Sequence, residues 1–264
     1  MDIISHTLSG VAVGTVMAAF TKRRGWNQLA VILMGGLGGA LPDLDAISLW
    51  SKFDGTIGYW LGLPPGKEIY FGKYWYSHHA AMHSLFAAFL FPIIAMLLAK
   101  GFRYFKGLPL GVWLKKNFWR CTAFSLGYLI HLLEDMPTPH SVWGGVNLFF
   151  PSSGYVGGWG KIWWWNNYDL VLIIASVIIV NLAVLILSSR VKRDVRKVPL
   201  VCFGLGLILF LIQIFTRDFD FNYQNHQVDY AKYEEKSKEL QREILGERLF
   251  HFMEEVDNSI PLNF

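Results

Sequence analysis

A long apolar run that begins at Phe118 ends in the stretch His131-Leu-Leu-Glu-Asp135-Met-Pro-Thr-Pro-His140. If the run is helical, His131 and Asp135 lie one turn apart on the same face, so both side chains can reach one cation. The two prolines after Met136 are expected to end the helix and to place His140 in the following loop. The stretch therefore predicts a helix whose end carries groups suited to binding a metal.

The composition is typical of an integral membrane protein. Of the 264 residues, 53% are hydrophobic, and the mean hydropathy is positive. An ordinary soluble domain of this length is less apolar. The first apolar segment follows Met1-Asp2 directly, so we expect no cleaved signal peptide. Both cysteines fall inside apolar runs, which argues against disulfides and a thiolate metal site.

Six apolar segments predict an all-α, multi-pass membrane protein with about six membrane-embedded helices. The first two segments are short and rich in small residues, so we expect them to pack closely together. After residue 216 the chain becomes polar, and 11 of its 20 carboxylates lie between Asp218 and Asp257. Residues 228–256 predict a polar helix outside the bilayer. We therefore expect a membrane domain at 1–216 and an acidic tail at 217–264.

The basic residues predict the orientation of these segments. Residues 22–24 hold three of them, 100–120 six and 190–197 five, whereas 43–77 and 136–168 together hold four. Short loops rich in Lys and Arg remain in the cytoplasm. Six crossings satisfy this rule with the N-terminus, both aromatic loops and the acidic tail on the extracytoplasmic side.

This orientation places six of the eight histidines on the extracytoplasmic side, together with several carboxylates. Ionisable groups at membrane depth are rare unless they are paired or bind an ion, so the cluster predicts a functional site. Imidazole with carboxylate suits zinc, manganese or iron. Asp43 and Asp45 could instead cap the next helix, and spacing leaves open which of His78 and His79 points inward. The candidate metal ligands are His6, Asp43, Asp45, His78, His83, His131, Asp135 and His140.

Four short motifs lie within residues 1–152. They are Ser5-His6, Pro42-Asp43-Leu44-Asp45, His78-x-x-x-x-His83-Ser84-Leu85 and His131-Leu-Leu-Glu-Asp135-x-x-Thr138-Pro139. Together they resemble the YdjM-type family of LexA-regulated, inner-membrane metal-dependent hydrolases. The chain departs from the family pattern at His79 and Met82, where Arg and Thr are usual. The resemblance implies a metal site in a multi-pass protein of the bacterial inner membrane.

More distantly, the order His, Asp, His, His-x-x-x-Asp, His is similar to zinc-dependent phospholipase C and the P1-type nucleases. That similarity implies a helical site with clustered zinc ions, in which Asp135 would bridge metals. The chain has no clear later His-x-x-x-Asp or His-x-x-x-Glu pair near the membrane. We therefore expect one or two divalent ions, zinc in the first place and manganese as the alternative.

These observations lead to the hypothesis of a membrane-bound hydrolase that cleaves a phosphate ester, such as a lipid headgroup, at the outer membrane–water interface. A divalent metal lowers the pKa of bound water to about 7 and polarises the ester. Glu134, or a carboxylate of the Asp43/Asp45 pair that binds no metal, with Asp45 as the favoured one, would act as general base.

The alternative is a non-enzymatic membrane protein that binds or transports a divalent metal. Transport requires ionisable groups along a path through the bilayer. The fifth and sixth segments contain only Asn181 and Gln213 as strongly polar residues in their cores. The expected partner is the lipid bilayer, and nucleic acid is not expected because the basic loops are short.

Overall fold

The computed structural model describes residues 1–21, 25–102, 109–191, 196–223 and 229–259. Within these residues the regular secondary structure is helical, apart from two isolated β-bridges in the loop before residue 168. The all-α prediction is therefore confirmed. The longer helices of the described residues are α1 (Ile3–Phe20), α2 (Trp26–Ala40), α3 (Leu85–Phe102), α4 (Leu110–Asp135), α5 (Tyr168–Val191), α6 (Lys197–Phe215), α7 (Tyr230–Leu245) and α8 (Glu247–Asn258).

Shorter helical segments fill the connection between α2 and α3. Helix α3 begins at Leu85, so His79 and His83 lie before it and do not share a helical face. The reason is the backbone of His79, whose φ of 61° is incompatible with a right-handed helix. The segments are a 3-10 helix at Pro42–Leu49, a π-helical turn at Asp54–Gly58, helices at Tyr59–Leu61 and Gly66–Phe71, and a 3-10 turn at Ala81–His83.

The predicted six crossings are not confirmed. Three helices in the described part of the chain are long and apolar enough to cross a membrane, namely α1, α5 over Tyr168–Ser188, and α6. The number rises to four if α2 and the 3-10 helix after it, which are bent by 49°, form one broken span. α3 contains Pro92, and over Leu85–Ala95 it counts among the shorter apolar helices of the described residues. α4 has basic residues in its first half and acidic residues at its end, which shortens its apolar stretch.

The orientation prediction depends on residues that lie partly outside the described ranges. These are 22–24, 103–108 and 192–195. Among the described residues, Ala18 of α1, Ala123 of α4 and Leu185 of α5 pack in one buried cluster. The sidedness of the candidate metal ligands therefore stays a prediction from the sequence.

Glycines allow α2 to pack backbone to backbone between α1 and α4. A Cβ atom added to Gly35 would meet the carbonyl oxygen of Gly10, and one added to Gly39 would meet the carbonyl oxygen of His6. On the opposite face of α2, a Cβ on Gly38 would meet the backbone of α4. The four-residue spacing of these glycines is the small-xxx-small pattern of closely packed membrane helices. This packing fixes how far apart the ligand-bearing ends of α1, α2 and α4 lie.

The C-terminal tail packs on the beginning of α5. Its predicted single helix is two helices, because Gly246 has a φ of 73° between α7 and α8. Trp163 stacks on Tyr233 with ring centroids 5.3 Å apart, and Phe250 is buried against Tyr168. The Trp163 ring is buried by these contacts.

Candidate metal centre

The end of α4 supplies two groups that face each other. His131 Nε2 lies 3.0 Å from Asp135 Oδ2, as their spacing on a helix predicted. His131 Nδ1 lies 2.7 Å from the carbonyl oxygen of Gly39 in α2. An imidazole that donates Nδ1–H to a carbonyl keeps its Nε2 lone pair available for a metal. This backbone contact was not predicted, since it depends on how closely α2 approaches α4.

His6 of α1 approaches the same pair from the other side. Its Nε2 atom lies 3.1 Å from Asp135 Oδ1, and its Nδ1 atom lies 2.9 Å from Glu134 Oε2. The Ser9 hydroxyl donates to the other Glu134 oxygen. Both oxygens of Glu134 are thus engaged, so this predicted general base instead orients His6. The amino group of Met1 also lies 3.1 Å from Asp135 Oδ1.

Asp43 and His83 complete the group around His131. His83 Nε2 is 3.2 Å from His131 Nε2 and 3.5 Å from Asp135 Oδ2. Asp43 Oδ1 is 3.6 Å from His131 Nε2 and 3.7 Å from His83 Nε2. Three structural elements thus bring their side chains to one point. They are the end of α4 with His131 and Asp135, the turn before α3 with His83, and the 3-10 helix after α2 with Asp43. We call His6, Asp43, His83, His131 and Asp135 the primary centre.

A second group of polar side chains surrounds the opposite edge of His83. Asp45 Oδ1 is 2.7 Å from His78 Nδ1, and Asp45 Oδ2 is 3.2 Å from His83 Nδ1. His79 Nδ1 is 2.9 Å from the carbonyl oxygen of Gly145. One ligand atom from each of the three histidines His78, His79 and His83 lies within 4.8 Å of the others. Both rings between which the spacing could not choose therefore lie next to His83.

The cluster contains buried polar atoms that make no hydrogen bond of good geometry, although each lies 3.0–3.2 Å from a group of opposite charge. In the described part of the chain, four such side-chain atoms belong to ionisable residues, and all four lie here. Buried polar atoms nearly always have a partner, so a group of them needs an explanation such as a bound ion. Imidazole nitrogens and carboxylate oxygens are the donors that zinc and manganese accept. The four atoms are His6 Nε2, Asp45 Oδ2, His83 Nδ1 and Asp135 Oδ2.

His79 and His83 differ in the direction of their pKa shifts. Burial disfavours the charged form of His83, but the carboxylates of Asp45 and Asp43 outweigh burial and raise its pKa to about 10. Burial, together with the neighbouring imidazoles of His78 and His83, lowers the pKa of His79 well below its ordinary value. A cation bound among these carboxylates would compete with the proton on His83.

The primary centre is most accessible at Asp43. Its side chain is 14% exposed, whereas those of His6, His83, His131 and Asp135 are at most 3% exposed. Leu44 and Ile47, on the same 3-10 helix, are about half exposed. Farther round the cluster, the ring of Tyr70 stacks on His78 with centroids 4.5 Å apart. An incoming molecule would therefore reach the centre past Asp43 and an apolar rim.

His140 lies outside the cluster. Its side chain is exposed, its Nδ1 atom lies 3.3 Å from the carbonyl oxygen of Ser141, and its backbone N–H donates to Asn222. Ser141 has a positive φ of 50°, which turns the loop directly after His140. This geometry does not support His140 as a ligand, and neither the turn nor the contact with the tail could be read from the spacing of residues.

The comparisons with known proteins agree with the sequence motifs in one respect. Neither a curated protein nor a solved structure matches the chain, so the distant similarity to phospholipase C and P1-type nucleases stays a prediction. The family model for the YdjM inner membrane protein matches residues 1–219, which include the primary centre and helices α1 to α6. The chain therefore belongs to the YdjM inner membrane protein family.

Proposed function

We propose that this protein is a metal-dependent hydrolase of the membrane that cleaves a phosphate ester, such as a lipid headgroup, at the extracytoplasmic membrane–water interface. The observation that carries the proposal is the primary centre. Three imidazoles and two carboxylates from four separate segments converge there, and the polar atoms of His83, His131, Asp43 and Asp135 lie 3.0–3.7 Å apart. Buried ionisable groups are costly unless they are paired or bind an ion, and five of them around one point form a set of donors suited to a cation.

The residues of the primary centre would hold a divalent cation, which supplies Lewis-acid polarisation of the ester and lowers the pKa of water. Glu134 and the Gly39 carbonyl orient His6 and His131 so that both Nε2 atoms face inward. Asp43 is the accessible carboxylate, so its second oxygen is placed to accept the proton of the attacking water. Asp45, proposed from the sequence as the base, contacts His78 and His83 and positions them instead.

The surroundings of Asp43 support a lipid-like substrate. Leu44 and Ile47 are about half exposed beside it, and Trp50 at the end of the same 3-10 helix is 48% exposed. Exposed apolar side chains next to a polar centre suit a molecule with a charged headgroup and an apolar tail. Tryptophan is common at the depth of lipid headgroups. We therefore favour a membrane phospholipid over a fully water-soluble ester.

The extracytoplasmic location of the centre rests on the excess of Lys and Arg in residues 22–24, 100–120 and 190–197, a bias that favours the cytoplasm for these connections. It is tested by fusing alkaline phosphatase or a green fluorescent protein to the C-terminus, because the tail packs at the same end of the helices as the centre. We expect an active phosphatase and a dark fluorescent fusion. A bright fluorescent fusion with inactive phosphatase would place the centre in the cytoplasm.

The activity is tested on the purified full chain in lipid nanodiscs. Zinc content is measured first, and hydrolysis of mixed phospholipids and of bis(p-nitrophenyl) phosphate is then followed with zinc or manganese present. We expect hydrolysis that a chelator abolishes. His131→Ala should lose it, whereas the matched control His140→Ala, outside the cluster, should keep it.

Three results would contradict the proposal. Zinc and hydrolysis retained by His131→Ala would show that the primary centre is not the site. Zinc uptake into sealed vesicles, without hydrolysis of any tested ester, would favour the metal-transport alternative. Zinc binding with neither activity would indicate a structural or sensing role for the metal.

A further inference from the structure

We propose that a second divalent cation binds on the far side of His83, at a site formed by Asp45, His78, His79 and His83. We call this group the histidine site. The inference rests on the proposed function and extends it, because it adds an ion beside the one proposed for the primary centre. It assigns a role to His79, which lies outside the primary centre and departs from the family pattern.

The buried atoms without partners fall into two pairs. His6 Nε2 and Asp135 Oδ2 belong to the primary centre. His83 Nδ1 and Asp45 Oδ2 lie 3.2 Å from each other on the opposite edge of the His83 ring. An imidazole has one nitrogen on each edge, so the two nitrogens of His83 face two different positions. A His83 ring that binds both ions releases both N–H protons to water and bridges the ions as an imidazolate. One cation in the primary centre cannot satisfy both pairs.

His78 and His79 bring two further nitrogens to the second position. The ring centroid of His79 is 4.3 Å from that of His78 and 4.8 Å from that of His83. His79 Nδ1 donates to the Gly145 carbonyl, and His78 Nδ1 contacts Asp45 Oδ1. Each of these contacts leaves an Nε2 lone pair unused. Three imidazoles and one carboxylate oxygen make up a four-ligand set typical of zinc.

The backbone holds His79 in place at an energetic cost. Its φ of 61° lies in the left-handed region, which is unfavourable for a histidine. The carbonyl of His79 accepts a hydrogen bond from the backbone N–H of Asn147, and the His79 ring bonds to the carbonyl of Gly145. The loop before α5 therefore holds both the backbone and the side chain of His79. Strained positions of this kind are common at ligand sites.

Aromatic rings enclose the histidine site. Tyr70 stacks on His78, and Trp143 lies 4.7 Å from His79 between ring centroids. His79 and His83 are both at most 2% exposed. Magnesium and calcium prefer oxygen ligands, and magnesium retains several waters. A dry, nitrogen-rich site therefore selects zinc or another late first-row ion.

The test is the number of zinc ions per chain, measured by mass spectrometry on the full chain after dialysis against zinc. We expect two ions in the wild type and one in His79→Asn. Asparagine tolerates a positive φ and can still donate to Gly145, so this variant removes the imidazole and preserves the turn. Asp135→Asn should also retain one ion, and the control His140→Ala should retain two.

Cobalt substitution provides a second measurement. Each variant is titrated with Co(II), and visible absorption reports the ligand set of each ion. His79→Asn should lose one absorption component and bind zinc at the remaining site with wild-type affinity. If His79→Asn is not folded by size exclusion and thermal unfolding, Asp45→Asn serves as the second variant.

The outcomes separate this inference from the proposed function. A wild type with one zinc ion that Asp135→Asn removes and His79→Asn leaves in place would overturn the histidine site alone. Two ions in both His79→Asn and Asp45→Asn would do the same. A wild type that binds no zinc after dialysis would overturn both the histidine site and the metal-dependent hydrolase.

Discussion

Two buried groups of charged side chains lie near the same end of the helix bundle. They differ in how many of their polar atoms have hydrogen-bond partners within the group. Arg217, which follows the end of α6, lies against Asp169 at the start of α5. It donates to both oxygens of Asp169 at 2.9 and 2.7 Å and to Asn167 at 3.2 Å. Its Nε atom donates to the backbone of Gln213. In this network one cation meets one anion, with a hydrogen-bond partner for both carboxylate oxygens.

The primary centre and the histidine site have the opposite balance. Their carboxylates face imidazoles rather than Lys or Arg side chains, and four of their buried atoms lack hydrogen-bond partners. A satisfied ion pair stabilises a fold without needing anything else, whereas an unsatisfied group needs a ligand. The contrast supports the proposal that bound cations complete the cluster.

The largest expected effect is the loss of hydrolysis when Asp135 of the primary centre is replaced. Asp135→Asn should reduce ester hydrolysis by at least about a thousandfold, because the Lewis acid contributes several kcal/mol to the transition state. Zinc should also raise the unfolding temperature of the wild type more than that of the variant. Rates are measured at saturating zinc in nanodiscs. Unchanged hydrolysis would remove Asp135 from the centre.

For the ion pair of Asp169 and Arg217 we expect a loss of stability without a loss of zinc. Asp169→Asn leaves the charge of Arg217 buried without a counterion, which should lower the free energy of unfolding by about 3–5 kcal/mol. Zinc content per folded chain should not change. Unfolding is followed by chaotrope titration in mixed micelles. The double variant Asp169→Leu/Arg217→Met should regain most of the stability, and a double variant as unstable as the single one would contradict this account.

A smaller effect is expected from the residue that orients His6. Glu134→Gln keeps the shape of the side chain but removes its charge, and it should lower zinc affinity about 10–100-fold. The matched control is Glu235→Gln on the exposed surface of α7, which should have no effect. Affinity is measured by competition with a zinc-binding dye. Equal affinities of Glu134→Gln and the wild type would assign Glu134 to packing alone.

The smallest effect is expected from a neutral polar contact between helices. Asn181 of α5 is buried and donates to the Thr15 hydroxyl of α1 at 2.9 Å. Such contacts within membranes contribute about 0.6 kcal/mol on average. Asn181→Leu should therefore change unfolding by less than about 1 kcal/mol and leave zinc binding unchanged. A loss of zinc would show that the contact transmits strain to the centre.

Local patterns predicted the parts of the site that depend on neighbouring residues. Helix periodicity places the side chains of His131 and Asp135 next to each other, and the prolines after Met136 explain why α4 ends there. The all-α class follows from the apolar segments. Spacing could not predict His79, because its φ of 61° is imposed by contacts with residues 66 and 68 positions away, Gly145 and Asn147.

Two further predictions depended on contacts that spacing does not give. Glu134 was predicted as a base on its chemistry, and helix α1 places His6 and Ser9 against both its oxygens. The six crossings are not confirmed, since they were counted from apolar runs without regard to the proline in α3 and the charged residues in α4.

The glycine contacts of α2 have a consequence for how this protein can change. Because Gly39 touches the carbonyl of His6 and that same region of α2 bonds to His131, the distance between two metal-binding rings depends on main-chain contact rather than on side-chain size. One added methyl group at Gly39 would push α1 away from α4 and widen the coordination sphere. Ion preference in this protein can therefore be altered by a residue that never touches the ion.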